Sequence, residues 1–92
     1  MKKINKNIFT ITYPRLDLHG ETYDTCLAPI NSFINDNIRL KNPKLIIIHG
    51  ISGGILKARV HEILKQHRSV EEYQLDSWNL GETIITIKLD KK

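Results

Sequence analysis

Two histidines and an aspartate stand at the ends of short apolar segments, where residues that handle phosphate are often found. Asp17 and His19 lie in the alternating segment 15–19, and His49 ends the apolar run 45–48. Cleavage of a phosphodiester needs a base, an acid and donors for the charge that builds on phosphorus. Histidine titrates near neutral pH and suits either proton role, while Asp17 can act as a base, orient His19 or help to hold a divalent cation. A single histidine at the end of a strand is usually structural. Two of them at one edge of the predicted sheet favour catalysis by Asp17, His19 and His49.

A glycine-rich segment follows His49 and contains Gly50, Ser52, Gly53 and Gly54. The glycines can serve a tight turn between a strand and a helix. Alternatively, their amides and the positive end of the helix bind the phosphate of a ligand. The segment lacks the Gly-Lys-Ser/Thr ending of a nucleoside-triphosphate loop and the GxGxxG spacing, so no nucleotide cofactor is expected.

Basic residues extend this pattern along the next predicted helix. Lys57, His61, Lys65 and Arg68 are spaced i, i+4, i+8 and i+11, which predicts one stripe that is either solvated or follows a phosphate backbone. Trp78, in a predicted loop, either belongs to the core or stacks on an unpaired base. These alternatives stay open on the sequence alone.

The composition predicts one small domain. The chain has 92 residues, 40% of them hydrophobic, and no apolar run approaches the ~20 residues that span a bilayer. The terminal residues account for the whole net charge of +4, so pI says little about a binding face. The lone Cys26 fits a reducing compartment, and the expected location is the cytoplasm, without a membrane partner.

Hydrophobic periodicity predicts four strands and two helices. Thr22 is the expected N-cap of the first helix, with a kink or a later start at Pro29. A weak alternation at 8–13 suggests an edge strand or an ordered arm. The predicted strands are 15–19, 44–49, 72–76 and 83–89, the second helix is 55–67, and 77–82 is a loop.

The order β-α-β-α-β-β predicts an α/β fold, a mixed four-stranded sheet with helices on one face. Two successive βα units give parallel strands with right-handed crossovers, so both helices cover the same face. The short last connection makes the fourth strand antiparallel to the third. The segments 16–20, 49–54 and 81–83 should therefore meet at one edge of the sheet, which brings Thr83 to the site.

Three motifs in this order resemble the Smr (small MutS-related) domain family: LDLHG at 16–20, HGISGG at 49–54 followed by ILK, and GETIITI at 81–87. The resemblance implies a two-layer α/β sandwich similar to the C-terminal domain of translation initiation factor three. It also implies nucleic-acid binding and, in many members, endonuclease activity on DNA or RNA. The family's second motif usually ends in glycine, and Ser52 stands at that position here.

Residues 15–90 are therefore predicted to form an Smr-like domain behind an N-terminal arm or edge strand at 1–14. The expected function is nucleic-acid binding and phosphodiester nicking with little sequence specificity. The alternatives are a non-catalytic DNA- or RNA-binding module and a protein-interaction domain. No cofactor is certain, and Mg²⁺ or Mn²⁺ is possible. The expected phosphate and nucleic-acid contacts are Gly50, Ser52, Gly53, Gly54, Lys57, His61, Lys65, Arg68, Trp78 and Thr83.

Overall fold

The computed structural model describes residue 10 and residues 12–89. It confirms the α/β fold and the order β-α-β-α-β-β. The predicted arm or edge strand at 8–13 lies largely outside the described residues, so the division at residue 14 stays a prediction. The elements are β1 (Arg15–Asp17), α1 (Leu27–Arg39), β2 (Lys44–Ile48), α2 (Ile55–Gln66), β3 (Val70–Asp76) and β4 (Asn79–Ile87).

The four strands form one sheet in the order β1-β2-β4-β3. β1 runs parallel to β2, with Asp17 opposite Ile48. β4 runs antiparallel to both β2 and β3, and Ile48 lies opposite Glu82. The carboxyl ends of β1 and β2 therefore share an edge with the first half of β4, as the order of elements predicts.

The hydrophobic core lies between the two helices and one face of the sheet. Side chains alternate along a strand, so Leu45 and Ile47 of β2 point to the same side as Ile85 and Ile87 of β4. These four residues are buried in a single apolar cluster with the inner faces of both helices. The helical members of the cluster are Ile30, Ile34, Val60, Ile63 and Leu64.

The first helix begins later than its expected cap at Thr22. Residues 22–26 form a turn in which the Thr22 carbonyl accepts from the amides of Thr25 and Cys26. Helix α1 then starts at Leu27, which makes Pro29 its third residue. An amide in the first helical turn has no partner within the helix, so proline costs no hydrogen bond there. The later start, one of the two expected effects of Pro29, is thus confirmed.

The last strand begins earlier than expected, and the prediction of a loop at 77–82 is wrong for most of that range. Asn79 already pairs with Asp76, and a register shift beside Leu75 absorbs the extra residues. The polar and glycine residues in this part of β4 hide the strand pattern because they bury little apolar surface. β3 also begins at Val70, two residues before its expected start.

No helix in the described part of the chain is long and apolar enough to cross a membrane.

Candidate functional site

The three motif segments meet at one edge of the sheet. The Leu18 amide donates to the Ile48 carbonyl over 3.0 Å, and the Gly81 carbonyl accepts from the amides of both His49 and Gly50 at 2.9 Å. A cleft of about 320 Å³ opens between the first two segments and is lined by both His19 and His49. The predicted convergence of these segments is therefore confirmed, while the chemical role of each residue stays a prediction.

Asp17 and His19 stand on the exposed rim of this cleft. The Asp17 carboxylate accepts a hydrogen bond from the His19 backbone amide over 2.9 Å, which fixes the turn after β1. The His19 imidazole is exposed and has no hydrogen-bond partner among the described residues. Both of its nitrogens are thus open to a bound molecule.

The glycine loop, residues 50–54, presents main-chain amides to solvent. Gly50, Gly53 and Gly54 all have positive φ, near +80°, a conformation that side chains other than glycine rarely adopt. Ser52 is not among the residues with positive φ, so serine replaces the family's usual glycine there without backbone strain. The amides of residues 51–57 donate to no acceptor in the described part of the chain. Helix α2 starts directly after the loop, without a side-chain cap or an acidic residue in its first turn. This arrangement favours an anion.

The His49 imidazole points inward, under α2, and the residue is only 7% exposed. Its Nδ1 lies 2.9 Å from the Gly50 carbonyl oxygen, and its Nε2 lies 2.8 Å from Thr83 Oγ1. A carbonyl can only accept, so Nδ1 carries the proton of the neutral ring. Nε2 must then accept from the Thr83 hydroxyl. Burial lowers the pKa of His49, aided by the charge of Lys57 and opposed by the bond to Gly50. His49 is therefore neutral at neutral pH.

His61 completes this arrangement from α2. Its Nε2 lies 2.7 Å from the same Thr83 oxygen, and its ring meets the His49 ring edge-on at 5.9 Å. The Thr83 hydrogen is already donated to His49, so His61 must donate its own Nε2–H to Thr83. Burial lowers the pKa of His61, and His49 and Lys57 lower it further. Thr83 is fully buried, behind the surface on which a phosphate contact was expected.

The remaining predicted contacts are distributed along and beyond α2. Lys57 lies beside the glycine loop, in a notch of about 180 Å³. Lys65 lines a separate groove of about 700 Å³ two turns further along the helix. Arg68 lies outside the helical stripe because α2 ends at Gln66. Trp78 is about half exposed in the turn between β3 and β4, and its amide donates to Asp76. Of the predicted stripe, Lys57, His61 and Lys65 lie on α2, and Arg68 lies beyond its end.

Glu82, the neighbour of Thr83 in the third motif, is buried beside a second carboxyl group. Burial raises the pKa of Glu82, as does its hydrogen bond with Asp76, and Arg15 Nη2, 3.6 Å from its Oε2, partly opposes the shift. Asp76 Oδ2 is buried without a donor among the described residues, unless Glu82 keeps its proton. The raised pKa means that Glu82 keeps its proton to a higher pH than an exposed glutamate does.

This proton makes folding depend on pH. A raised pKa means that the folded chain holds the proton at pH values where the unfolded chain has lost it, so stability falls as pH rises from about 4.5. In the Glu82→Gln variant, the side-chain amide of the glutamine can donate a hydrogen bond to Asp76 at every pH. We expect its Tm to exceed that of the wild type at pH 8 by about 4–8 °C, for a gain of ~1 kcal/mol. Thermal unfolding at pH 5 and pH 8 checks this, and an equal pH dependence of both proteins would contradict it.

The sequence interpretation missed two residues beside the glycine loop. Ile51 and Leu80 are exposed, and both line the notch that contains Lys57. Each is a large aliphatic residue next to a glycine, in a segment without helical or strand periodicity. A large aliphatic residue in such a segment is the sequence signal that could have pointed to these two positions.

The described residues contain no group of three or more His, Cys, Asp or Glu side chains that could hold a metal ion.

An α/β sandwich with a histidine-bearing sheet edge and a glycine loop defines the structural class. Residues 16–88 match the family described as the Smr domain, and the chain belongs to this family. Among curated relatives, the Endonuclease MutS2 of Geobacillus thermodenitrificans is 38% identical over 72 residues, 78% of this chain. The Putative endonuclease MutS2 of Bacillus subtilis is 33% identical over a segment of the same length. Each match takes in only 9% of the relative's length.

Two solved structures share the fold. The Smr domain of Thermus thermophilus MutS2 superposes with a TM-score of 0.76 at 22% identity, covering 82% of this chain and 98% of that one. YdaL, a stand-alone small MutS-related protein from Escherichia coli, gives a TM-score of 0.75 at 17% identity, covering 96% of this chain and 79% of that one. These likenesses confirm the two-layer architecture of a mixed four-stranded sheet and two helices.

Proposed function

We propose that this domain binds the backbone of nucleic acid at the glycine loop and cleaves a phosphodiester beside His19. The observation that carries the proposal is a His19 imidazole in a cleft whose wall continues into the glycine loop, where neither the imidazole nor the loop amides have a partner among the described residues. The relatives from Geobacillus thermodenitrificans and Bacillus subtilis, named Endonuclease MutS2 and Putative endonuclease MutS2, agree with this chemistry.

The proposed reaction divides the chemistry between the loop and the histidine. The amides of the glycine loop donate to the non-bridging oxygens of the phosphate, whose negative charge grows in the transition state. The attacking water oxygen forms a bond to phosphorus, and the bond to the leaving sugar oxygen breaks. His19 takes the proton that the water loses, and the leaving sugar oxygen takes a proton from solvent. Asp17 holds the turn that carries His19 and adds negative charge next to it.

His49 has a different part in this proposal from the predicted proton transfer. Both of its ring nitrogens are engaged, and the ring is almost inaccessible. Its Nδ1–H holds the carbonyl of Gly50, so it positions the first residue of the glycine loop. His61 and Thr83 support His49 from behind. His19 is then the residue that takes the proton from the attacking water.

Cleavage is tested by incubating the purified protein with end-labelled single- and double-stranded DNA and RNA of unrelated sequences. Each substrate is offered with EDTA, with Mg²⁺ and with Mn²⁺. Products that appear with time and scale with protein concentration support the enzyme. Binding without products on any substrate would favour the non-catalytic module. A His49 ring whose two nitrogens are both hydrogen-bonded is compatible with that module.

Backbone binding predicts a measurable salt dependence. Lys57→Ala and Lys65→Ala should weaken binding to unrelated sequences equally. Each should also flatten the plot of log K against log salt by roughly 0.7 to 0.9 if its lysine contacts a phosphate. Lys88→Ala is the matched control, because Lys88 is exposed beyond the other end of β4 and carries the same charge. A slope that falls as much with Lys88→Ala as with Lys57→Ala would remove the lysines of α2 from the binding face.

A further inference from the structure

A notch with three aliphatic side chains in its walls lies directly beside the glycine loop. It has a volume of about 180 Å³ and is lined by the side chains of Ile51, Leu75 and Leu80, by Gly50 and Gly54, and by Lys57 as its one charged member. Ile51 is 73% exposed and Leu80 is 56% exposed, and neither belongs to the hydrophobic core. The fold therefore keeps two large aliphatic side chains in water at the border of the proposed phosphate site.

The backbone holds the two sides of the notch together. Gly81, next to Leu80, lies against Gly50, next to Ile51, and a Cβ on Gly81 would be in van der Waals contact with the Gly50 Cα atom at 3.5 Å. The Gly81 carbonyl also accepts two amide hydrogens from the start of the loop. These main-chain contacts hold Gly50 and Gly81, the neighbours of Ile51 and Leu80, next to each other without a ligand.

We propose that this notch receives one unpaired base of a nucleic-acid strand whose phosphate lies on the glycine loop. The inference rests on the proposed function and names its substrate as single-stranded or locally unpaired nucleic acid. The volume of about 180 Å³ is of the order of one base, and Ile51, Leu75 and Leu80 offer aliphatic surface to its face. Lys57 and the loop amides give the positive charge that complements the attached phosphate. A paired base inside a duplex cannot enter because its faces are covered by its stacked neighbours.

Such a site tolerates any sequence. Every base has an apolar face, and of the side chains that line the notch only that of Lys57 can form a hydrogen bond. Recognition through ring faces selects unpaired structure instead of a particular base. We therefore expect the chain to bind strands with exposed bases more tightly than a sugar-phosphate strand without bases.

The test compares ligands with the same phosphates but different bases. Oligothymidylate and oligouridylate of about 12 nucleotides are compared with an abasic sugar-phosphate strand of equal length and with a blunt duplex. We expect the base-bearing single strands to bind about fivefold or more tightly than the abasic strand and the duplex. The variant Leu80→Ser should lose most of this preference and keep the affinity of the wild type for the abasic strand. Leu40→Ser is the matched control, since Leu40 is 68% exposed at the end of α1, outside the notch lining.

Each result separates the notch from the phosphate site. Equal binding of base-bearing and abasic strands by the wild type, with a normal salt slope, would overturn the notch and leave the proposed backbone binding intact. The same loss of preference in Leu40→Ser as in Leu80→Ser would also overturn it. A failure to bind any of the strands would overturn the proposed function together with the inference.

Discussion

His19→Ala should lower the rate of phosphodiester cleavage by about 10²-fold or more and leave binding and stability almost unchanged. General acid–base catalysis by one positioned side chain typically contributes 10²- to 10⁴-fold. The His19 ring is exposed and has no hydrogen-bond partner among the described residues. Its removal therefore opens no cavity and leaves no polar group without a partner. The proper measurement is single-turnover cleavage at saturating protein, beside Kd and Tm from the same preparation.

A second histidine variant controls for the loss of an imidazole as such. His67 lies just past α2, where its Nδ1 accepts the Ser69 amide over 3.0 Å. Asparagine offers an acceptor at a similar position, so His67→Asn should cleave as fast as the wild type. If His19→Ala also cleaves at that rate while fully folded, His19 has no part in the chemistry. A fall in rate that only follows a fall in Tm would make its role structural.

The regular part of the fold was predictable because its signals are local. The unbroken apolar run of β2 and the stripes of α1 and α2 each identify an element without knowledge of the others. Short connections then leave few topologies, and the parallel β1 and β2 bring His19 and His49 to one edge. The meeting of the three motif segments follows from this order of elements alone.

The inward orientation of His49 was within reach of the same reasoning. Alternation along β2 and its extension places His49 on the side of Leu45 and Ile47, which is the side covered by the helices. Thr83 shares that side with Ile85. What the sequence could not supply is the approach of His61 to Thr83, since it depends on where α2 comes to rest on the sheet. The notch beside the glycine loop likewise depends on the contact between Gly50 and Gly81.

Thr83→Val should destabilise the fold more than any other substitution of a single hydroxyl among the described residues. Valine keeps the shape of threonine and removes the group that joins His49 to His61. His49 Nε2 would then be buried without a donor, and the His61 Nε2–H would lose its acceptor. An unsatisfied buried polar group costs about 1–3 kcal/mol. In a domain of this size each kcal/mol lowers the Tm by about 4–8 °C.

Two further variants separate the hydroxyl from the methyl group of Thr83 and from the strand itself. Thr83→Ser keeps the oxygen and should retain most of the stability that Thr83→Val loses. Thr86→Val makes the same change on the same strand, where the hydroxyl bonds only the half-buried Lys44 Nζ at 2.7 Å, and should cost much less. Thermal unfolding of the three proteins at one pH gives the comparison.

The proton positions provide an independent measurement of the same arrangement. If Thr83 donates to His49 and accepts from His61, nitrogen NMR should find the neutral His49 ring protonated at Nδ1 and the neutral His61 ring protonated at Nε2. In Thr83→Val the His61 ring loses its acceptor, so its nitrogen shifts should move, while His49 keeps its proton on Nδ1 for the Gly50 carbonyl. A wild-type His49 ring protonated at Nε2, or a Thr83→Val protein as stable as Thr83→Ser, would show that the hydroxyl does not link the two histidines. The glycine loop would then owe its position to the Gly81 backbone alone.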